Sequence, residues 1–265
     1  MTSHTLFGIR FDAVTAQQAL ERLVALAKNA KALQLPAQLA VTVNVQIMVL
    51  ARRNSQTLLP IINAAPLVVA DGAPLVFASK FFGPKLPERV AGSDLIYDIA
   101  RAAADNGLRI YFFGGQEAYT VQAMEKLKAL FPSLQIAGHS CPMVAMTPNE
   151  TQRREEEALC RQITDANTDI LLVGLGCPKQ EYFVHRNADK LKGMAAIGLG
   201  GTFNFICGHI SRAPKWMQRL GMEWIYRILQ EPKRLFMRYF IDAFYLAAYI
   251  LREPFRRQCE ESNSR

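Results

Sequence analysis

The chain has 265 residues, half of them hydrophobic and a fifth charged, with a formal net charge of +8. That length and apolar content suffice to bury a core of one ordinary domain plus an extension, which excludes disorder over most of the chain. No repeat of about 20 to 50 residues is present, which excludes a solenoid. The charge is unevenly placed: between Arg212 and Arg257 ten Lys/Arg face four acids, a local net of +6.

In chain order, short apolar runs alternate with helical spacing, the signature of an α/β domain with a largely parallel sheet. A helix is expected over 15–30 with Thr15 as its cap. Strands follow at LAVTVN (39–44) and PLVVAD (66–71), the second running into Gly72, Pro74 and a helix start. Next come a helix over 93–106 capped by Ser93, a strand over 109–115, a helix over 116–131 and a strand over 134–140. A helix over 149–167 with a cap at Thr147, a strand over 169–176, a helix over 179–190 and a strand over 194–201 complete the pattern. After about residue 205 the alternation gives way to helix rich in basic and aromatic residues. The expected domains are therefore a catalytic unit over 1–205 and a basic, amphipathic appendage over 206–265.

Leu235 to Leu251 is apolar but holds Arg238 and Asp242, and a spanning helix needs about 20 mostly apolar residues. Two readings stay open for it: a helix lying in a membrane interface, or one that packs its aromatic face on the α/β domain. The five cysteines are scattered, odd in number and without a CxxC pair, so neither a disulfide framework nor a zinc site is indicated, and reduced cytosol is the expected compartment. The start, MTSHTLFGIRFD, lacks a signal peptide's basic and apolar regions.

Open α/β sheets bind ligands beyond the carboxyl ends of their strands. The polar residues there are Thr42, Asn44 and Asp71, and the loops GLGCPKQE and GLGGTFN. Each loop either offers backbone N–H groups to a phosphate or is simply a strand-to-helix turn, and neither completes GxGxxG. Asp71 is either a general base for an attacking hydroxyl or a helix N-cap. Arg89, in PERVAGSDL, either holds a diphosphate or is a solvated loop arginine. His4, His139, His185 and His209 form no HxxxH, and no DxD is present, so no metal or cofactor has an anchor in the sequence.

Together these segments resemble the WecG/TagA/CpsF family of bacterial glycosyltransferases. The segments that carry the resemblance are TVNVQ (42–46), VADG (69–72), ERVAGSDL (88–95), GLGCPKQE (174–181), GLGGTFNF (198–205) and RAPKWMQRLGMEWIYRILQEPKR (212–234). The resemblance implies a Rossmann-like core and an inverting, metal-independent transfer of a glucose- or N-acetylmannosamine-type hexose. The donor would be a UDP-sugar, and the acceptor a polyprenyl-diphosphate-linked sugar at the inner face of the cytoplasmic membrane. It further implies Asp71 as base, with Thr42, Asn44, Arg89 and Gln180 around it and Arg227 and Arg234 closing from the appendage. The family pattern tends to have another basic residue soon after EPKR, where this chain has Met237 followed by Arg238. The implied partners are donor, acceptor and an anionic membrane surface, not nucleic acid, with a homo-oligomer left open. A nicotinamide-dependent oxidoreductase and a non-catalytic membrane binder are the competing expectations.

Overall fold

The computed structural model describes residues 3–82, 85–214, 216–217 and 222–263, with the side chains of Ser3, Arg234 and residues after 252 left aside. Six strands form one parallel sheet: β3 (Gln38–Val43), β4 (Leu67–Ala70), β5 (Arg109–Gly114), β6 (Gln135–Ser140), β7 (Ile170–Gly174) and β8 (Ala195–Gly198). Their order is β4-β3-β8-β7-β5-β6. A small antiparallel hairpin, β1 (Ser3–Leu6) with β2 (Ile9–Asp12), precedes them.

The strands read as nearly unbroken apolar runs because both faces are covered. Alternate residues go to opposite cores, as the pleat requires. Tyr111, Phe113, Leu171 and Val173 join one, and Ile110, Phe112, Ile170 and Leu172 the other. The first core is covered by the hairpin and by α2 (Val45–Arg53), α3 (Leu58–Ala64), α4 (Ala73–Phe82), α7 (Glu150–Asp165) and α8 (Lys179–Arg186). The second is covered by α1 (Ala16–Leu33), α5 (Gly92–Asn106), α6 (Glu117–Leu130) and α9 (Thr202–Ile206). The architecture is the expected Rossmann-like α/β layer.

The appendage contributes α10 (Glu223–Gln230) and α11 (Pro232–Asn263), and α11 packs against α2 and α4. On its inner face the 235–251 stretch packs on the α/β domain, as one of its two readings has it. Tyr245, Leu246, Tyr249 and Ile250 lie against the first core, while Phe236, Phe240 and Phe244 of the same helix are exposed. Arg52 and Arg53 of α2 sit over the rings of Tyr249 and Tyr245 at 5.6 and 5.5 Å, fixing the inner face.

Three local expectations are corrected. Thr15 does cap α1 with a full capping box, but the α7 cap is Asn149, not Thr147. The Asn149 side chain accepts from Gln152 N at 2.9 Å, and the Gln152 side chain accepts from Asn149 N at 3.0 Å. Ser93 lies inside α5, which starts at Gly92 because a carboxylate from β4 takes its first free N–H. Asn44 is not strand: its side chain accepts from Ile47 N at 3.0 Å and starts α2. Among the described helices none is long and apolar enough to cross a membrane.

Candidate active site

β3 and β8 lie side by side in mid-sheet, and the chain leaves them in different directions, from β3 out towards β4 and from β8 into α9 and the appendage. Above their carboxyl ends is a cleft of about 810 Å³, closed by α10 and α11. Such a crevice is where open parallel sheets take ligands.

The sheet-side wall is built from residues fixed by their own hydrogen bonds. Thr42, buried near the end of β3, donates to Gly198 O at 3.0 Å. Glycine at 198 makes room for this wall: a Cβ there would stand 2.3 Å from Gln180 Nε2, so that side chain would have to shift. Gln180, only 2% exposed, accepts from Gly200 N at 3.1 Å and donates to Glu181 at 2.8 Å. Glu181 is fully buried, and burial pushes its carboxyl up while Gln180 pulls it down less.

Asp71 continues β4, its N–H bonded to Val43 O at 2.8 Å. It does not cap α4, the helix that follows it. Its Oδ2 accepts instead from Gly92 N, the first residue of α5, at 3.3 Å. Desolvation by burial raises its pKa to about 7, against the pull of Arg89 and the Gly92 N–H and with the help of Glu223 and Asp94. A carboxyl poised there can take up and release a proton near neutral pH, as a general base must.

Arg89 is not a solvated loop arginine. Its guanidinium is shared between Glu223 at 3.0 Å and Asp94 at 3.2 Å. Arg212 forks Asp94 at 2.6 and 3.3 Å and reaches Glu223 at 3.2 Å. Arg227 lines the cleft from α10 with its guanidinium 5.2 Å from the Phe205 ring. Arg238 lines it from α11, over the Tyr239 ring at 5.1 Å, whereas Met237 is 60% exposed on the other side. Of the two residues Met237 and Arg238, it is thus Arg238 that lines the cleft. Asp242, one turn further on and 6% exposed, also lines the cleft; burial raises its pKa and Arg238 lowers it.

Thr42, Asn44, Asp71, Arg89, Gln180 and Arg227 therefore meet in one cleft. Arg234 belongs to α11, and its side chain lies outside the described residues. Sequence reading missed Asp94, Phe205, Arg212, Glu223 and Asp242. A signal for Asp242 was present: it follows Arg238 at i+4 on the face that α11 turns inward, where an unneeded charge is costly. Among the described residues no three His, Cys, Asp or Glu side chains converge as a metal site.

A family model described as Glycosyl transferase WecG/TagA/CpsF family matches residues 4–260. Relatives from Bacillus spizizenii and Bacillus subtilis are 31% and 30% identical over 174 residues, 66% of this chain and 64% of theirs. The match thus spans just under two thirds of the length of those relatives. A relative from Staphylococcus aureus (strain MW2) is 28% identical over 230 residues, 87% of this chain and 85% of its own. All three are named N-acetylglucosaminyldiphosphoundecaprenol N-acetyl-beta-D-mannosaminyltransferase. With a match from the hairpin to the far end of α11, the chain belongs to the WecG/TagA/CpsF family of glycosyl transferases.

Proposed function

We propose that this protein transfers a hexose, of glucose or N-acetylmannosamine type, from a UDP-sugar to a polyprenyl-diphosphate-linked sugar, with inversion. The observation that carries this reading is Asp71, fixed at the end of β4 and pushed up to about 7 within a cleft that arginines enter from the opposite wall. In the reaction the Asp71 carboxylate takes the proton from the acceptor hydroxyl as that oxygen attacks C1 of the donor sugar. The C1–O bond to the diphosphate breaks on the other face, and the leaving diphosphate carries away the bond's electron pair. Arg227 and Arg238, whose Nε atoms are buried without a hydrogen-bond partner among the described residues, are available to that diphosphate. The names of the relatives supply the acceptor class: each is named for a sugar on undecaprenyl diphosphate.

The same reading places the protein on the inner face of the cytoplasmic membrane, with residues 206–265 as the membrane-associating unit. Phe77 and Phe81 on α4, with rings 5.1 Å apart, are exposed as Phe236, Phe240 and Phe244 of α11 are, and α4 and α11 touch. Apolar rings at the bilayer boundary with arginines at headgroup level suit an interfacial helix. Each basic residue near an anionic leaflet adds about 1 kcal/mol.

The test incubates purified protein with UDP-glucose and UDP-N-acetylmannosamine and a short-chain polyprenyl-diphosphate N-acetylglucosamine. Transfer of one of these sugars, with inverted configuration in the product, is the expected outcome. Release of UDP without a sugar-bearing lipid from any UDP-sugar contradicts it.

A further inference from the structure

Arg89, Asp94, Arg212 and Glu223 form a closed circuit of charges between the appendage and the α/β domain. Glu223 Oε2 takes Arg89 and its Oε1 takes Arg212, while Asp94 takes the fork of Arg212 and the second nitrogen of Arg89. Asp94 belongs to α5 and Arg89 to the segment before it, whereas Glu223 is the first residue of α10 and Arg212 precedes it in the appendage. The circuit is thus a contact between two parts of the chain more than 100 residues apart, as the separation of 118 positions between Asp94 and Arg212 shows. Glu223 is only 16% exposed against 54% for Asp94, so the appendage half is the less screened by water. The ring of Phe205, under both Arg212 and Arg227 at 6.0 and 5.2 Å, joins this circuit to the arginine that faces the cleft.

We propose that Glu223 and Arg212 are positioning residues: they clasp α10 onto Arg89 and Asp94, so that seating of the appendage and readiness of Asp71 are one event. With the clasp closed, Arg89 stands beside Asp71, Arg227 is aimed into the cleft, and α10 shields the carboxyl from water. With it open, all three are lost together. The charged groups that face Asp71 are Arg89 from the preceding segment, Asp94 from α5, and Glu223 and Arg212 from the appendage, with the Gly92 N–H beside them. Arg227, Arg238 and Asp242 line the rest of the cleft.

Burial is the largest reason that Asp71 holds its proton up to about 7, so opening the clasp should rehydrate it and lower that value. This gives a test that separates a clasp from independent charges. Glu223→Gln removes a negative charge and Arg212→Gln a positive one. Acting independently they would move the acidic limb of the kcat/KM profile in opposite directions. Acting as one clasp, both move it to lower pH. Each also lowers kcat/KM about tenfold or more, and the double variant is no worse than about twofold below the poorer single, the non-additivity of residues that work as a unit. Limbs that shift in opposite directions, or additive losses, overturn the proposal. If either variant melts below the assay temperature, Arg212→Lys, which keeps the charge but cannot fork Asp94, should show the same downward shift; an unmoved limb with full activity overturns the clasp.

The activity arm rests on the sugar-transfer reading, and a second readout does not. The two tryptophans of the chain, Trp216 and Trp224, both lie in the appendage. Their emission should shift to the red in Glu223→Gln, in Arg212→Gln and equally in the double variant. A wild type that transfers no sugar refutes the enzymatic reading and leaves this arm intact; unchanged emission in all three variants refutes the clasp.

Discussion

The two walls of the cleft are built differently. On the sheet side, Thr42, Asn44, Asp71 and Gln180 each have a backbone partner within 3.0 to 3.3 Å, so their positions are set by the sheet and its helix starts before any ligand arrives. On the appendage side, Arg227 Nε, Arg238 Nε and Asp242 Oδ2 are buried without a hydrogen-bond partner among the described residues. Buried polar atoms left unpaired cost free energy until something satisfies them. On the proposed reading, the base then belongs to the rigid fold, while the groups that would meet a substrate's charge sit on the appendage. Preorganised chemistry and adjustable binding would be divided between the two regions.

The sharpest way to break this division is at Asp71. Asp71→Asn keeps the side-chain shape and the Gly92 contact but removes the base, and should reduce kcat by about a hundred- to ten-thousandfold. Its effect on stability has the opposite sign. A carboxyl whose folded pKa is raised from 3.8 to about 7 destabilises the folded state as pH rises through that window, because the unfolded chain ionises more readily. Asp71→Asn should therefore melt higher than wild type at pH 8 and nearly level with it at pH 4; equal melting shifts at both would show that Asp71 is not held in a desolvated site.

On the same wall, Gly198→Ala drives a methyl into Gln180, and overpacking of this kind costs about 1–3 kcal/mol. Both melting temperature and activity should fall. On the opposite wall, Arg227→Ala or Arg238→Ala should lower kcat/KM about tenfold to a hundredfold, the loss of a charge-assisted hydrogen bond, with the melting temperature little changed. If these variants melt as poorly as Gly198→Ala, the appendage arginines are structural and the division fails. The smallest effect on soluble turnover belongs to the outer rings. Phe77→Ser with Phe244→Ser should leave turnover of a short-chain acceptor within about twofold and weaken flotation with anionic liposomes, which added salt should weaken further. Unchanged flotation would separate these rings from the membrane.

How much of this was legible in the sequence follows the same line. The parallel strands and the Asp71, Thr42 and Asn44 positions were readable because strand-end polar residues follow unbroken apolar runs, a local pattern. The Ser93 cap was misread because the N–H groups at the start of α5 are met from β4, a tertiary partner that local spacing cannot reveal. The clasp was invisible for the same reason: Asp94 and Arg212 meet across 118 positions, and each alone looks like a solvated charge. Arg238 and Asp242 lay between, since their i, i+4 spacing on an aromatic helix was visible but which face turned inward was decided by α2 and α4.

The central claim is that a desolvated carboxylate at the end of β4 is the base of a sugar transfer. Its most direct test is the pH dependence of kcat/KM for transfer from the preferred UDP-sugar to the lipid acceptor. The account predicts a rate that rises with pH on a single ionisation near 7 and a profile flattened to residual activity in Asp71→Asn. A wild-type limb near 4, or an Asp71→Asn enzyme that retains the limb and the rate, would contradict it.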